Sequence, residues 1–144
     1  MTATSARHTD SAPSQALETL RGNCMGTALL LIAQFAIGVA VNLYVTIPAH
    51  KSFLSAVFGS ALLAAHAVIA LLLLGAAISA LVRSIRARRV IPLTATGLVA
   101  IVAAAFAGSA FVGSSADGAS LAMALAAAVA MVSYLLAVFR LRPP

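Results

Sequence analysis

His66 is the one side chain within the long apolar stretches of this 144-residue chain that titrates near neutral pH. In hydrocarbon an imidazole is neutral, with one nitrogen donating and the other free to accept a proton or ligate a metal. An ionisable residue in that setting is a functional candidate by default. Asn42, Gln34, Ser109 and Met123 are the other side chains of those stretches that could meet a ligand. Three readings of the set stand side by side. His66 hydrogen-bonds to Asn42, Ser109 or a carbonyl and locks helices together; or it ligates the iron of a b-type haem; or it hydrogen-bonds a quinone or another lipid-soluble ligand.

Haem ligation by two histidines needs both at one level, whereas His50 lies 16 residues from His66, ~24 Å along a helix. His8 precedes every apolar run. The second axial ligand within one chain is then a methionine, with Met123 level with His66 and Met131 about two turns deeper; otherwise His66 pairs across a homodimer. Other chemistries lack their residues. The apolar stretches carry no paired carboxylates, and the chain has no zinc cluster, phosphate-cradling glycine loop or dinucleotide fingerprint. A Ser109–His66 hydrolase would have no acid to orient the histidine. Small multidrug transporters rely on a membrane-embedded glutamate, and no carboxylate occurs in these stretches. The chain therefore reads as non-enzymatic, with no catalytic residue to name.

The elements that must position these side chains are four apolar runs, at 26–47, 53–82, 90–113 and 119–139. Each is long enough to cross a bilayer, since ~20 residues at ~1.5 Å rise span ~30 Å of hydrocarbon. A composition 62% hydrophobic and 8% charged cannot cover the surface of a soluble domain this small. All three acids, Asp10, Glu18 and Asp117, and all nine Lys and Arg residues fall outside the runs, which supports their boundaries independently of hydropathy. The expected fold is all-α: a four-helix transmembrane bundle with sequential helices antiparallel.

Arg7, Arg21, Arg83, Arg86, Arg88, Arg89, Arg140 and Arg142 belong to one side and Lys51 to the other. By the positive-inside rule both termini and the arginine loop are cytoplasmic, in a multi-pass protein of the cell membrane. The formal charge of +6 then reflects topology and contact of the Arg83–Arg89 loop with anionic lipid headgroups, not nucleic acid. Residues 1–22 read as a disordered cytoplasmic tail, ordered at most near Leu17 to Arg21, and 23–144 as the transmembrane domain. A secretory signal fits poorly, the first run being too long and lacking a small-x-small cleavage pattern. Cys24, the single cysteine, is a free thiol or a site of acylation near the cytoplasmic face. Ser52 is a credible N-cap for the second helix, whose 30-residue run (53–82) implies tilt or a projecting turn.

Level and face can be estimated by counting from the cytoplasmic ends. Sixteen residues outward from Gly26 is Asn42, from Val82 is His66 and from Phe139 is Met123, and about the same distance from Ile91 reaches Gly108 and Ser109. These positions form one expected polar layer. Thr27, Leu31, Gln34, Gly38, Asn42 and Val45 step by four or three and form one expected protein-facing stripe. Small residues at Gly38, Ala104, Gly108, Ala122, Ala126 and Ala130 allow close approach, within the bundle, in a homo-oligomer or in a larger membrane complex.

Gln34-Phe35, Asn42-Leu43-Tyr44-Val45 with Pro48, Ala65-His66-Ala67, Gly108-Ser109-Ala110-Phe111 and Ser120-Leu121-Ala122-Met123-Ala124 resemble the motifs of a group of short four-span actinobacterial membrane proteins of unassigned function. The resemblance runs from Gln34 to about Tyr134 and implies membrane placement and an actinobacterial source. The group often carries an asparagine before the third-helix glycine, where this chain has Ala107, a departure that weighs against a polar ligand contact from that helix. The leading expectation is a structural or accessory component of a membrane assembly. The alternative is an intramembrane haem, quinone or lipid-ligand binder built on His66.

Overall fold

The computed structural model describes residues 11–45, 53–114 and 117–142. Five helices follow in order: α1 (Ser11–Tyr44), α2 (Phe53–Phe58), α3 (Ala61–Ala87), α4 (Ile91–Ser114) and α5 (Asp117–Arg140), with no strand among the described residues. All but the short α2 are long and apolar enough to cross a membrane. The long helices form a closed ring in which α1 packs on α3, α3 on α4, α4 on α5 and α5 back on α1, while α2 rests on α3 and α4. Side-chain pairs fix the directions. Asn23 meets Ser79 and Gln34 meets His66, while Gly97 faces Tyr134 and Gly108 faces Met123, so α1/α3 and α4/α5 are antiparallel.

The distribution of side chains is the reverse of a soluble bundle. Leu71, Phe106 and Val99 point outward, about 70% exposed, whereas Ala77, Ala80, Ser84 and Thr94 are fully buried. With hydrocarbon outside there is no gain in hiding large apolar groups, and small or hydroxyl-bearing residues go inward because they let helices pack closely and find partners. The main core sits at the arginine end, around Leu20, Cys24, Ala28, Ala77, Ala80, Tyr134 and Ala137. A smaller cluster of Val41, Val57 and Leu63 closes the distal end.

Two boundaries differ from those expected in ways that change the packing. Helix α1 begins at Ser11, so the second half of the expected tail 1–22 is helical; residues 1–10 lie outside the described residues. Its polar composition conceals an inward stripe, in which Leu20, Cys24, Thr27, Ala28 and Leu31 are all buried at helical spacing. Full burial of Cys24 also removes it as an acylation site. The second run is not one helix: it breaks at Gly59–Ser60, where Ser60 leaves helical geometry (φ −135°, ψ 123°) and its hydroxyl accepts from the Leu63 N–H at 3.5 Å. Glycine lowers the cost of the break and serine caps the new helix. The expected cap Ser52 lies outside the described residues.

At the arginine end α3 stops at Arg88, in the left-handed region with φ 52° and ψ 35°. Its N–H donates to the Ile85 carbonyl and the Arg89 N–H to the Ser84 carbonyl, each at 3.1 Å, so the last carbonyls of the helix are satisfied. The turn is closed by Ser84 and Thr94, whose hydroxyls meet at 2.7 Å across α3 and α4.

Candidate functional site

Gln34 on α1 and His66 on α3 meet across the helix interface in the distal half of the bundle. The Gln34 Nε2 atom lies 3.0 Å from the His66 carbonyl oxygen and 3.0 Å from His66 Nε2. A backbone carbonyl only accepts, so the amide must present its NH2 group there. One of its two protons goes to the carbonyl and the other to Nε2, which must then carry a lone pair. The imidazole proton therefore belongs on Nδ1. One amide thus binds a side chain and the backbone of the same residue, a two-point clasp between α1 and α3.

Gly38, one turn further along α1, lets the ring lie against that helix. A Cβ at this position would sit 3.1 Å from His66 Cε1 and 3.7 Å from Nδ1, the first tighter than ordinary contact. The clasp leaves two polar atoms over. Both Gln34 Oε1 and His66 Nδ1 are buried without a hydrogen-bond partner, one an acceptor and the other a donor. Each such group in a low-dielectric setting carries a desolvation cost of about 1–3 kcal/mol.

The remaining expected site residues do not join this pair. Asn42 is exposed and points away, while Val41 takes the inward position. The geometry of the helix explains this: each four-residue step turns ~40° past a full revolution, so the two consecutive steps from Gln34 to Asn42 rotate the stripe off its face. Depth also differs from the count, because α1 enters the bundle well before Gly26, and the residue level with His66 is Gln34. Ser109 is exposed and donates to the Phe106 carbonyl of its own helix at 2.8 Å. Met123 packs inside the α4/α5 interface, where its sulfur lies 3.2 Å from the position of a Cβ on Gly108.

These contacts test the haem reading. Iron at Nε2 would have to displace the Gln34 amide, and the ring edge is pressed on Gly38, so the arrangement does not fit a haem between α1 and α3. Among the described residues no group of three or more His, Cys, Asp or Glu is placed to hold a metal ion. No family model, curated protein or solved structure matches the chain.

Two further polar contacts at the arginine end were not anticipated from sequence. Asn23 Nδ2 donates to Ser79 Oγ at 3.0 Å, a second rung between α1 and α3. Tyr134, fully buried, brings its hydroxyl to 3.5 Å from the Thr94 carbonyl, and its ring occupies the space left by Gly97, where a Cβ would fall 2.6 Å from Cε2. Asparagine inside an apolar helix and tyrosine four residues after an alanine row are visible signals, but the glycine that receives the ring is on another helix, and no spacing rule links them.

Proposed function

We propose that this protein is a non-catalytic, multi-pass component of the cell membrane, an accessory or structural partner within a membrane assembly, with its arginine end in the cytoplasm. The observation that carries this reading is the Gln34 clasp: the side chains best suited to chemistry are engaged with each other, joining α1 to α3. The orientation rests on Arg21, Arg83, Arg86, Arg88, Arg89, Arg140 and Arg142 sharing one end of the bundle. Ala105 and Ser109 on the outward side of α4 offer small residues against which a neighbouring helix can pack closely.

A second reading is favoured by one specific observation, the unpartnered Gln34 Oε1 and His66 Nδ1. A hydroxyl group both accepts and donates, so a lipid-soluble quinol satisfies both atoms once the interface opens to admit it. Purified protein and its His66→Leu variant distinguish the two. Under the structural reading, organic extracts of both contain quinone only at the level of the surrounding detergent-solubilised lipid, and the variant is less stable to unfolding. Stoichiometric quinone in the wild type, absent from the variant, would replace the structural reading with the binding one.

A further inference from the structure

At the arginine end a groove of about 480 Å³ opens between α1 and α3, lined chiefly by Ala16 and Thr19 from one helix and Ser79, Val82, Arg83 and Arg86 from the other. Among the described residues no carboxylate lines it. Ser79 Oγ accepts from both Asn23 Nδ2 at 3.0 Å and Arg83 Nε at 3.4 Å. Both lone pairs of the hydroxyl are thus used, and among the described residues its proton has no acceptor. The same contact ties the Arg83 guanidinium by Nε and leaves its terminal nitrogens for another acceptor. Thr19 commits its proton to the Gln15 carbonyl at 2.8 Å, so the donors facing the groove are Ser79, Arg83 and Arg86.

The geometry points to a binding site for the phosphate of an anionic phospholipid. Two guanidiniums and a hydroxyl proton lining one groove, with no carboxylate among the described residues beside them, match the oxygens of a phosphodiester, which guanidinium binds through paired, charge-assisted hydrogen bonds. Position argues for a lipid over a soluble anion. Arg86 is in the last turn of α3, at the edge of an apolar helix of spanning length, and Ala16 and Val82 supply an apolar wall along which the glycerol and the start of an acyl chain can lie. Basic pockets between helices at that depth are where headgroups reach protein. The phosphate is thus held by α3, with Ala16 and Thr19 of α1 as the opposite wall, beside the Asn23–Ser79 rung.

The test is native mass spectrometry of the protein in mild detergent with added phosphatidylglycerol, phosphatidylcholine or inorganic phosphate. Phosphatidylglycerol should be retained, phosphatidylcholine should not, and excess inorganic phosphate should fail to displace the lipid. The double variant Arg83→Gln/Arg86→Gln should weaken retention about tenfold, whereas Arg89→Gln/Arg140→Gln, with the same charge removed from the same end, should weaken it less than about twofold. Ala16→Trp fills the groove with both arginines in place and should reproduce the loss even if the arginine pair proves necessary for folding. Equal weakening by the two doubles, or full retention in Ala16→Trp, would show diffuse attraction and overturn the site; displacement by inorganic phosphate would overturn the lipid as its ligand.

Discussion

The two ends of the bundle join their helices differently. At the arginine end, Leu20, Cys24, Ala77, Ala80, Ser84, Thr94, Tyr134 and Ala137 are fully buried, and the Ser84 and Thr94 hydroxyls are satisfied by each other and by nearby carbonyls. At the distal end the best-buried residues, Val41, Val57 and Leu63, keep 6–7% exposure, and the polar pair leaves a donor and an acceptor unmatched, whereas the unmatched buried atom at the arginine end, Arg21 Nε, lies outside the closely packed core. The arginine end is held chiefly by steric fit, with the Asn23–Ser79 and Ser84–Thr94 contacts beside it, and the distal end chiefly by a polar clasp. In hydrocarbon the first kind of contact is the stronger, because packing supplies what the hydrophobic effect does not, while a single interhelical hydrogen bond is worth only ~0.6 kcal/mol on average. The looser end is accordingly where a change of partner or a bound molecule is least costly.

Tyr134→Ala should cause the largest loss, about 3 kcal/mol or more by analogy with other buried aromatic truncations, read as unfolding in detergent with increasing denaturant. An effect no larger than that of His66→Leu would erase the contrast between the ends. Gly97→Ala and Gly38→Ala sharpen it, since they add the same methyl group at each end. The first meets the Tyr134 ring at 2.6 Å and the second the His66 Cε1 at 3.1 Å, so Gly97→Ala should cost about 1–3 kcal/mol and Gly38→Ala clearly less. His66→Leu, which removes the side-chain half of the clasp, should cost about 1 kcal/mol, and the same loss should not be incurred twice when Gln34→Leu is added. The smallest effect is expected at the turn. Arg88 is exposed and left-handed, and Arg88→Gly should stabilise by roughly 0.5–1 kcal/mol by relieving that conformation.

The extent to which the sequence foretold this arrangement differs along the chain. Helices α4 and α5 lie within two residues of their expected ends, because charged and turn-forming residues bracket plain apolar runs. The start of α1 was hidden by Glu18, Thr19 and Arg21, whose polarity outweighs Leu20 and Cys24 in any average along the chain although they sit on different faces. His66 and Gln34 both stood out as polar groups in hydrocarbon, yet their pairing did not. Counting depth from Gly26 misplaces α1, whose register against α3 is marked by the Asn23–Ser79 rung. Tyr134 in Gly97 is a match of shapes on separate helices, information that a linear pattern does not contain.

The most direct test of the clasp is nitrogen-15 NMR of histidine-labelled protein in lipid, assigning His66 by its loss in His66→Leu. The expected spectrum is that of a neutral ring with the proton on Nδ1 and an unprotonated Nε2 whose resonance shifts when Gln34→Leu removes its donor. A proton on Nε2, or an Nε2 resonance indifferent to Gln34→Leu, would contradict the clasp and with it the register of α1 against α3.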